Sequence, residues 1–178
     1  MHQNKIIFTG PVGAGKTTAI NAISDIATVT TDARASDMAI ARKEQTTIAL
    51  DYGMMKVGDG ERIHLYGTPG QERFDFMWDI LTEGGIGLIL LLDNTRPDPF
   101  RDMSFFLDAF KTFIARTQVV VGITRVDLKA LPRIPDYHRQ LHGTGFRLPI
   151  LEVDARARRD VSVLVQTLLY SLDPGLAA

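Results

Sequence analysis

The segment Gly10-Pro11-Val12-Gly13-Ala14-Gly15-Lys16-Thr17 limits what this chain can fold into more than any other part of it. It follows the pattern Gly-x-x-x-x-Gly-Lys-Thr, and each fixed position has a physical reason. The glycines adopt backbone conformations that turn successive N–H groups toward one point, and they let main chain approach an anion closely. Lys16 brings a cation to the β- and γ-phosphates of a nucleoside triphosphate, and Thr17 offers a hydroxyl to Mg²⁺. A helix beginning at Lys16 directs its positive end at the same anion. The flanks agree with this reading. Ile6-Ile7-Phe8 is a buried-strand run entering the loop, and Ala19, Ile20, Ile23 and Ile26 fall on one side of a helix leaving it. Phosphate contacts are expected from Gly10, Gly13, Ala14, Gly15, Lys16, Thr17 and Thr18.

Short β-branched runs alternate with segments of helical period along the rest of the chain, which argues for a parallel sheet with helices on both faces. Thr28 to Thr46 is polar, has no apolar period and reads as a long loop. Thr47 to Val57 and Glu61 to Tyr66 read as two strands joined by the hairpin turn Gly58-Asp59-Gly60. Ile86 to Leu92 and Val119 to Val121 read as central strands, and Pro149 to Val153 as the last. Asp98-Pro99 opens a helix with the buried stripe Met103, Phe106, Leu107, Phe110 and Ile114. Arg133 to Leu141, interrupted by Pro135, predicts a short or irregular helix. Asp160 is expected to cap a final helix that buries Val161, Leu164, Val165, Leu168 and Leu169. The fold class is α/β of the P-loop NTPase kind. The expected sheet is mostly parallel and six-stranded, with one antiparallel edge strand and helices on both faces. One domain over residues 1–178 is the simplest organisation.

Composition removes several function classes. A net charge of −1 gives no electrostatic case for a nucleic-acid partner. The absence of cysteine excludes disulfides, thiolate metal sites, prenylation and palmitoylation. Gly85 to Leu92, the most apolar run, is far short of the roughly 20 residues of a spanning helix. A cytoplasmic protein with no direct membrane anchor is expected.

Four further segments, in order, resemble the Ras-like small GTPases, and the resemblance covers nearly the whole chain. Thr47-Ile48-Ala49-Leu50-Asp51-Tyr52 is similar to switch I, although Thr46 also competes for the threonine position. Gly67-Thr68-Pro69-Gly70-Gln71-Glu72-Arg73-Phe74 is similar to the switch II run Asp-Thr-Ala-Gly-Gln-Glu. Thr124-Arg125-Val126-Asp127 stands where the family has Asn-Lys-x-Asp, and Val153-Asp154-Ala155-Arg156 where it has Thr-Ser-Ala-Lys.

The resemblance implies a GTP/GDP switch using Mg²⁺, with Thr17 and Thr47 on the metal. Gly70 would sense the γ-phosphate, Gln71 would orient the attacking water, and Lys16 would stabilise charge. Thr124, Arg125, Asp127, Asp154, Ala155 and Arg156 would surround guanine, with Asp127 selecting it. A protein effector and a GTPase-activating protein would be the partners, and hydrolysis would be slow without the activator. Three positions depart from the pattern. Gly67 replaces the aspartate that opens switch II, so the outer carboxylate for Mg²⁺ is missing. Thr124 replaces asparagine and offers one donor instead of two, weakening the tie between base and phosphate loop. Arg125 replaces lysine and still presents a planar head to the base. The run Thr68-Pro69-Gly70-Gln71 resembles bacterial Ras-like proteins related to the gliding-motility polarity GTPase, which also lack that aspartate.

Two other readings stay open. In one, a P-loop ATPase or kinase of another class uses Asp93, at the end of Ile89-Leu90-Leu91-Leu92, as its metal-side acid. In the other, a nucleotide-binding partner protein hydrolyses negligibly. Phe74, Phe76, Met77 and Trp78 form either an apolar patch for a partner, with Trp78 as its anchor, or ordinary packing against a neighbouring helix.

Overall fold

In the computed structural model, residues 4–34, 47–58, 60–70 and 76–172 are described. Along the chain these are β1 (Asn4–Thr9), α1 (Lys16–Ile23), β2 (Val29–Arg34), β3 (Thr47–Val57), β4 (Glu61–Gly67) and α2 (Phe76–Thr82). There follow β5 (Gly85–Asp93), α3 (Pro99–Ala109), α4 (Lys111–Ile114), β6 (Gln118–Thr124), α5 (Ile134–Gln140), β7 (Ile150–Glu152) and α6 (Arg158–Leu172). The strands form one seven-stranded sheet in the order β2-β3-β4-β1-β5-β6-β7. β1 pairs in parallel with β4 and β5, and β5–β6 and β6–β7 are parallel too. The β2–β3 and β3–β4 ladders are antiparallel.

Successive side chains of a strand point to opposite faces, so a strand with both faces covered is apolar throughout. β5 shows this. Ile89 and Leu91 join Ile6, Phe8, Ile20, Val161 and Leu164 in a core under α1 and α6. Leu88 and Leu90 join Ile7, Met103, Phe106 and Tyr137 in the core of the other face. Asp98 accepts a 2.9 Å bond from the Arg101 amide, capping α3 ahead of Pro99 as expected. Pro135 falls in the first turn of α5, where a missing N–H costs nothing.

The sheet differs from the sequence reading at its polar edge. Residues 29–34, read as loop, form β2, so the sheet gains a seventh strand and a second antiparallel ladder. An edge strand need not bury a face, and its Val29 is 49% exposed, so no apolar period announces it. Asp160 is also reassigned. α6 starts at Arg158, and the Asp160 carboxylate accepts the Asp154 amide at 3.0 Å instead of capping the helix. Ile26 lies beyond the end of α1 and is exposed. Ile114 belongs to α4, separated from α3 at Phe110. Among the described residues, no helix is long and apolar enough to cross a membrane.

Candidate nucleotide-binding site

The phosphate loop leaves the carboxyl end of β1 and feeds α1, the place where open α/β sheets bind ligands. Gly10, Gly13 and Gly15 have φ of 138°, 81° and 98°, conformations that an L side chain rarely adopts. At Gly10 there is also no room, since a Cβ would lie 2.0 Å from the Leu91 carbonyl oxygen. Because α1 begins at Lys16, the amides of its first turn have no partner within the helix and face outward from its N-terminus. The Ala14 amide is held by the Pro11 carbonyl at 3.2 Å. Lys16 is 8% exposed and donates to the Gly10 and Pro11 carbonyls at 2.8 and 2.9 Å. Burial lowers its ammonium to about 8, against the charge of Asp51, which acts to raise it.

Switch II begins close to this loop. The Thr68 amide donates to the Phe8 carbonyl at 2.9 Å, and the Thr68 and Thr9 hydroxyls share a 2.9 Å bond. Gly70 lies directly on the phosphate loop. A Cβ there would be 2.6 Å from the Val12 nitrogen and 2.7 Å from Lys16 Nζ. Gln71 lies outside the described residues, as does Phe74.

The metal side of the site differs from the expectation in one respect. Thr17 is not without a carboxylate: its hydroxyl donates to Asp51 Oδ2. Asp51 stands opposite Gly67 in the β3–β4 ladder. Thr47 pairs with Arg34 at the far end of β3, about 13 Å from Asp51 along an extended strand. The structure brings the Asp51 carboxylate to Thr17. Reading Asp51 only as part of the switch I pattern hid this, because the signal is a cross-strand register and not a spacing.

On the other side of the loop, Ala14, Gly15 and Thr18 share a cleft of about 250 Å³ with Thr124, Arg125, Asp127, Asp154, Ala155 and Arg156. The structure thus brings the sequence-expected base residues together beside the phosphate loop. Thr124 stays within reach of that loop: its hydroxyl oxygen lies 3.0 Å from the Ala14 carbonyl oxygen and 3.2 Å from that of Leu92, which share its single proton. Gly15 packs on Ala155, whose Cβ would be 3.0 Å from a Cβ at position 15. Arg125 adopts a φ of 59° and reaches Asp93 at 2.7 Å. Arg156 grips Asp154 through two 2.8 Å bonds and lies 3.8 Å from Asp127. The Arg156 bonds hold the Asp154 carboxyl down at about 2.

Asp93 is buried and committed to the base side. Its second oxygen accepts the Thr95 amide at 2.8 Å and hydroxyl at 2.6 Å. That placement counts against Asp93 as a metal-side acid. Sequence reasoning also missed Asn94, which is fully buried. It donates to the Lys129 and Pro132 carbonyls at 2.6 and 3.1 Å and accepts the Tyr137 hydroxyl at 2.7 Å. A satisfied buried network of this kind fixes the loop that carries Arg125 and Asp127. Burial raises the Tyr137 phenol well above its ordinary value. Trp78 does not anchor an exposed patch. It is 3% exposed and stacks on Phe110 at 4.9 Å, with Phe106 at 5.4 Å, so the packing alternative holds for it.

Comparison with known proteins agrees with this picture at a coarse level. A family described as "Conserved hypothetical ATP binding protein" matches residues 27–168. An uncharacterized protein of Methanocaldococcus jannaschii is 32% identical over 93 residues, 52% of this chain and 52% of that protein. The matched part thus spans about half the length of that relative. Ras-related protein Rab-18-B of Danio rerio is 27% identical over 178 residues, covering 97% of this chain and 81% of that protein. Ras-related protein RabC of Dictyostelium discoideum is 20% identical over 175 residues, covering 95% and 83%. The chain is a nucleotide-binding P-loop protein with distant homology to Ras-related GTPases. By a match that runs from before β2 into α6, it belongs to the family described as conserved hypothetical ATP binding proteins.

Proposed function

We propose that this protein is a guanine-nucleotide-dependent switch that hydrolyses GTP slowly and signals through its switch segments to protein partners. Within the Ras-like class, the run Thr68-Pro69-Gly70-Gln71 resembles that of the bacterial polarity-GTPase branch, and this supports assigning it there. The observation that carries the reading is the cleft in which Asp127 and Ala155 stand beside Ala14 and Gly15. A carboxylate there accepts hydrogen bonds from the guanine edge, whereas adenine offers a different set of donors.

In this reading Lys16 and the loop amides hold the phosphates, and Lys16 exchanges its bonds to the Gly10 and Pro11 carbonyls for phosphate oxygens. Thr17 would hold Mg²⁺ through a hydroxyl backed by the buried Asp51 carboxylate, and Thr47, at the far end of β3, would have to move toward the phosphate loop to join it. When bound, Mg²⁺ neutralises charge on the β- and γ-phosphate oxygens. Gly70, already against Val12 and Lys16, senses the γ-phosphate through its amide. Gln71 orients water. Arg125, fixed by Asp93, covers the base, and Thr18, Thr124, Asp154 and Arg156 complete its surroundings. Such a site works by positioning and charge stabilisation, so turnover is slow until a partner adds an arginine, an addition of roughly 10³–10⁵ in rate.

A second reading, ATP as the nucleotide, is favoured by the family description and by the single donor at Thr124. Competition between GTP and ATP, on the wild type and on Asp127→Asn, separates the two. Preference for GTP that the substitution weakens supports the switch. Preference for ATP that it leaves unchanged replaces guanine with adenine, and binding with negligible turnover removes the enzyme.

A further inference from the structure

The carboxylate absent from Gly67 has a counterpart one strand away. Gly67 ends β4 beside the phosphate loop, paired with Phe8 of β1 on one side and Asp51 of β3 on the other. A Cβ at Gly67 would lie 3.0 Å from Asp51 Cβ, 3.1 Å from Asp51 Oδ2 and 3.1 Å from Ile20 Cδ1. The Asp51 side chain therefore leans into the space that a side chain at position 67 would need. A side chain at position 67 would require Asp51 and Ile20 to give by a few tenths of an ångström.

Asp51 is 8% exposed, and its two oxygens accept the Thr17 hydroxyl and, at 2.9 Å, the Thr30 hydroxyl. Both hydrogen-bond partners are neutral, and the cation that feels its charge, the Lys16 ammonium, is bonded to the Gly10 and Pro11 carbonyls. A hydroxyl has one proton and two lone pairs. Thr17, by giving its proton to Asp51, keeps its lone pairs free to receive a cation. We propose that Asp51 is the metal-positioning carboxylate of this site. It acts through Thr17, and Gly67 is glycine because Asp51 occupies its side-chain space. The proposal rests on the nucleotide reading above and specifies how that site holds Mg²⁺.

The test follows release of mant-labelled GDP, and of mant-labelled ADP in parallel, while free Mg²⁺ is titrated against EDTA. In the wild type Mg²⁺ slows release. In Asp51→Asn, which keeps the shape but has one acceptor oxygen for the two hydroxyls, half-maximal slowing needs about 10–100-fold more Mg²⁺, with release in EDTA unchanged. Gly67→Asp alone gains no Mg²⁺ sensitivity, because its side chain crowds the Asp51 carboxylate and the two like charges oppose each other. Asp51→Gly combined with Gly67→Asp moves the carboxylate across the ladder and returns the Mg²⁺ requirement to within about threefold of wild type, unlike Asp51→Gly alone. An Asp51→Asn curve that overlays the wild type overturns the proposal and leaves nucleotide binding intact. So does a double variant no better than Asp51→Gly. A wild type that holds neither nucleotide overturns both this proposal and the function proposed above.

Discussion

The two halves of the sheet are built on different rules, and the site straddles them. From β1 outward through β5 and β6 the strands are parallel and apolar on both faces, with Leu88 to Leu92 all fully buried. From β4 through β3 to β2 the ladders are antiparallel and only one face packs on α1, where a Cβ at Gly53 would touch Ile20 and Ser24. The opposite face carries Tyr52, His64 and Tyr66, partly exposed, with a 2.8 Å bond between the Tyr52 hydroxyl and His64 Nδ1. The groups proposed to face the base (Asp93, Thr124, Arg125) come from the parallel half, and those proposed to face the metal and γ-phosphate (Asp51, Gly67, Gly70) from the antiparallel half. Local opening is cheapest where few apolar contacts oppose it. The division thus puts base recognition on the rigid half and phosphate sensing on the half that deforms at less cost.

The largest test of that contrast is stability. Leu91→Ala, in the fully covered strand β5, is expected to cost about 2–5 kcal/mol. Val57→Ala, on the partly buried strand β3, is expected to cost about 1 kcal/mol or less. Urea unfolding midpoints measure both, and equal losses would break the comparison.

The same contrast decides what the sequence reveals. β5 and β6 are legible because burial on both faces forces an unbroken run of Leu, Ile and Val. The phosphate loop is legible because its glycines and lysine are required at fixed spacing, whereas Thr124, Asp127 and Ala155 are reached only through the resemblance to Ras-like proteins, and the structure sets them in one cleft with the loop. β2 is not legible: its partners are backbone groups of β3, and its side chains carry no pattern. Asp51 is not legible either, because its relation to Gly67 and Thr17 exists only once the register of β3 on β4 is set. Trp78 shows the limit from the other direction. An apolar helix stripe reads alike whether it faces a partner or the core, and only the stacking on Phe110 decides.

A smaller effect sharpens the division within the site. Asp93 holds Arg125 at 2.7 Å on the parallel half, far from the Asp51–Thr17 pair in the order of the strands. Asp93→Asn removes the charge that fixes Arg125 while sparing the Thr95 contacts in part. Nucleotide affinity is expected to fall about tenfold, roughly 1.4 kcal/mol. Half-maximal Mg²⁺ should not move. Calorimetric titration at several Mg²⁺ concentrations reads both quantities, and a shifted Mg²⁺ requirement would show that the two halves are coupled where the geometry separates them.

The smallest effect lies at Lys16, where the halves meet. Burial places its ammonium at about 8 in the free protein, well below the ordinary lysine value of 10.5. Bound phosphates favour the charged form, so the bound state has the higher value and binding takes up a proton above pH 8. Affinity is therefore nearly constant well below pH 8 and falls several-fold as pH rises above it. The free protein shows the opposite sign. Its unfolded state holds the Lys16 proton more tightly, so this group's contribution to stability rises with pH from about 8 toward 10.5. Calorimetry at pH 8.5 in two buffers of different ionisation enthalpy measures the uptake directly. Lys16→Arg, whose guanidinium stays charged throughout, should take up no proton at this site. Equal uptake by that variant and the wild type would move the titrating group elsewhere in the cleft.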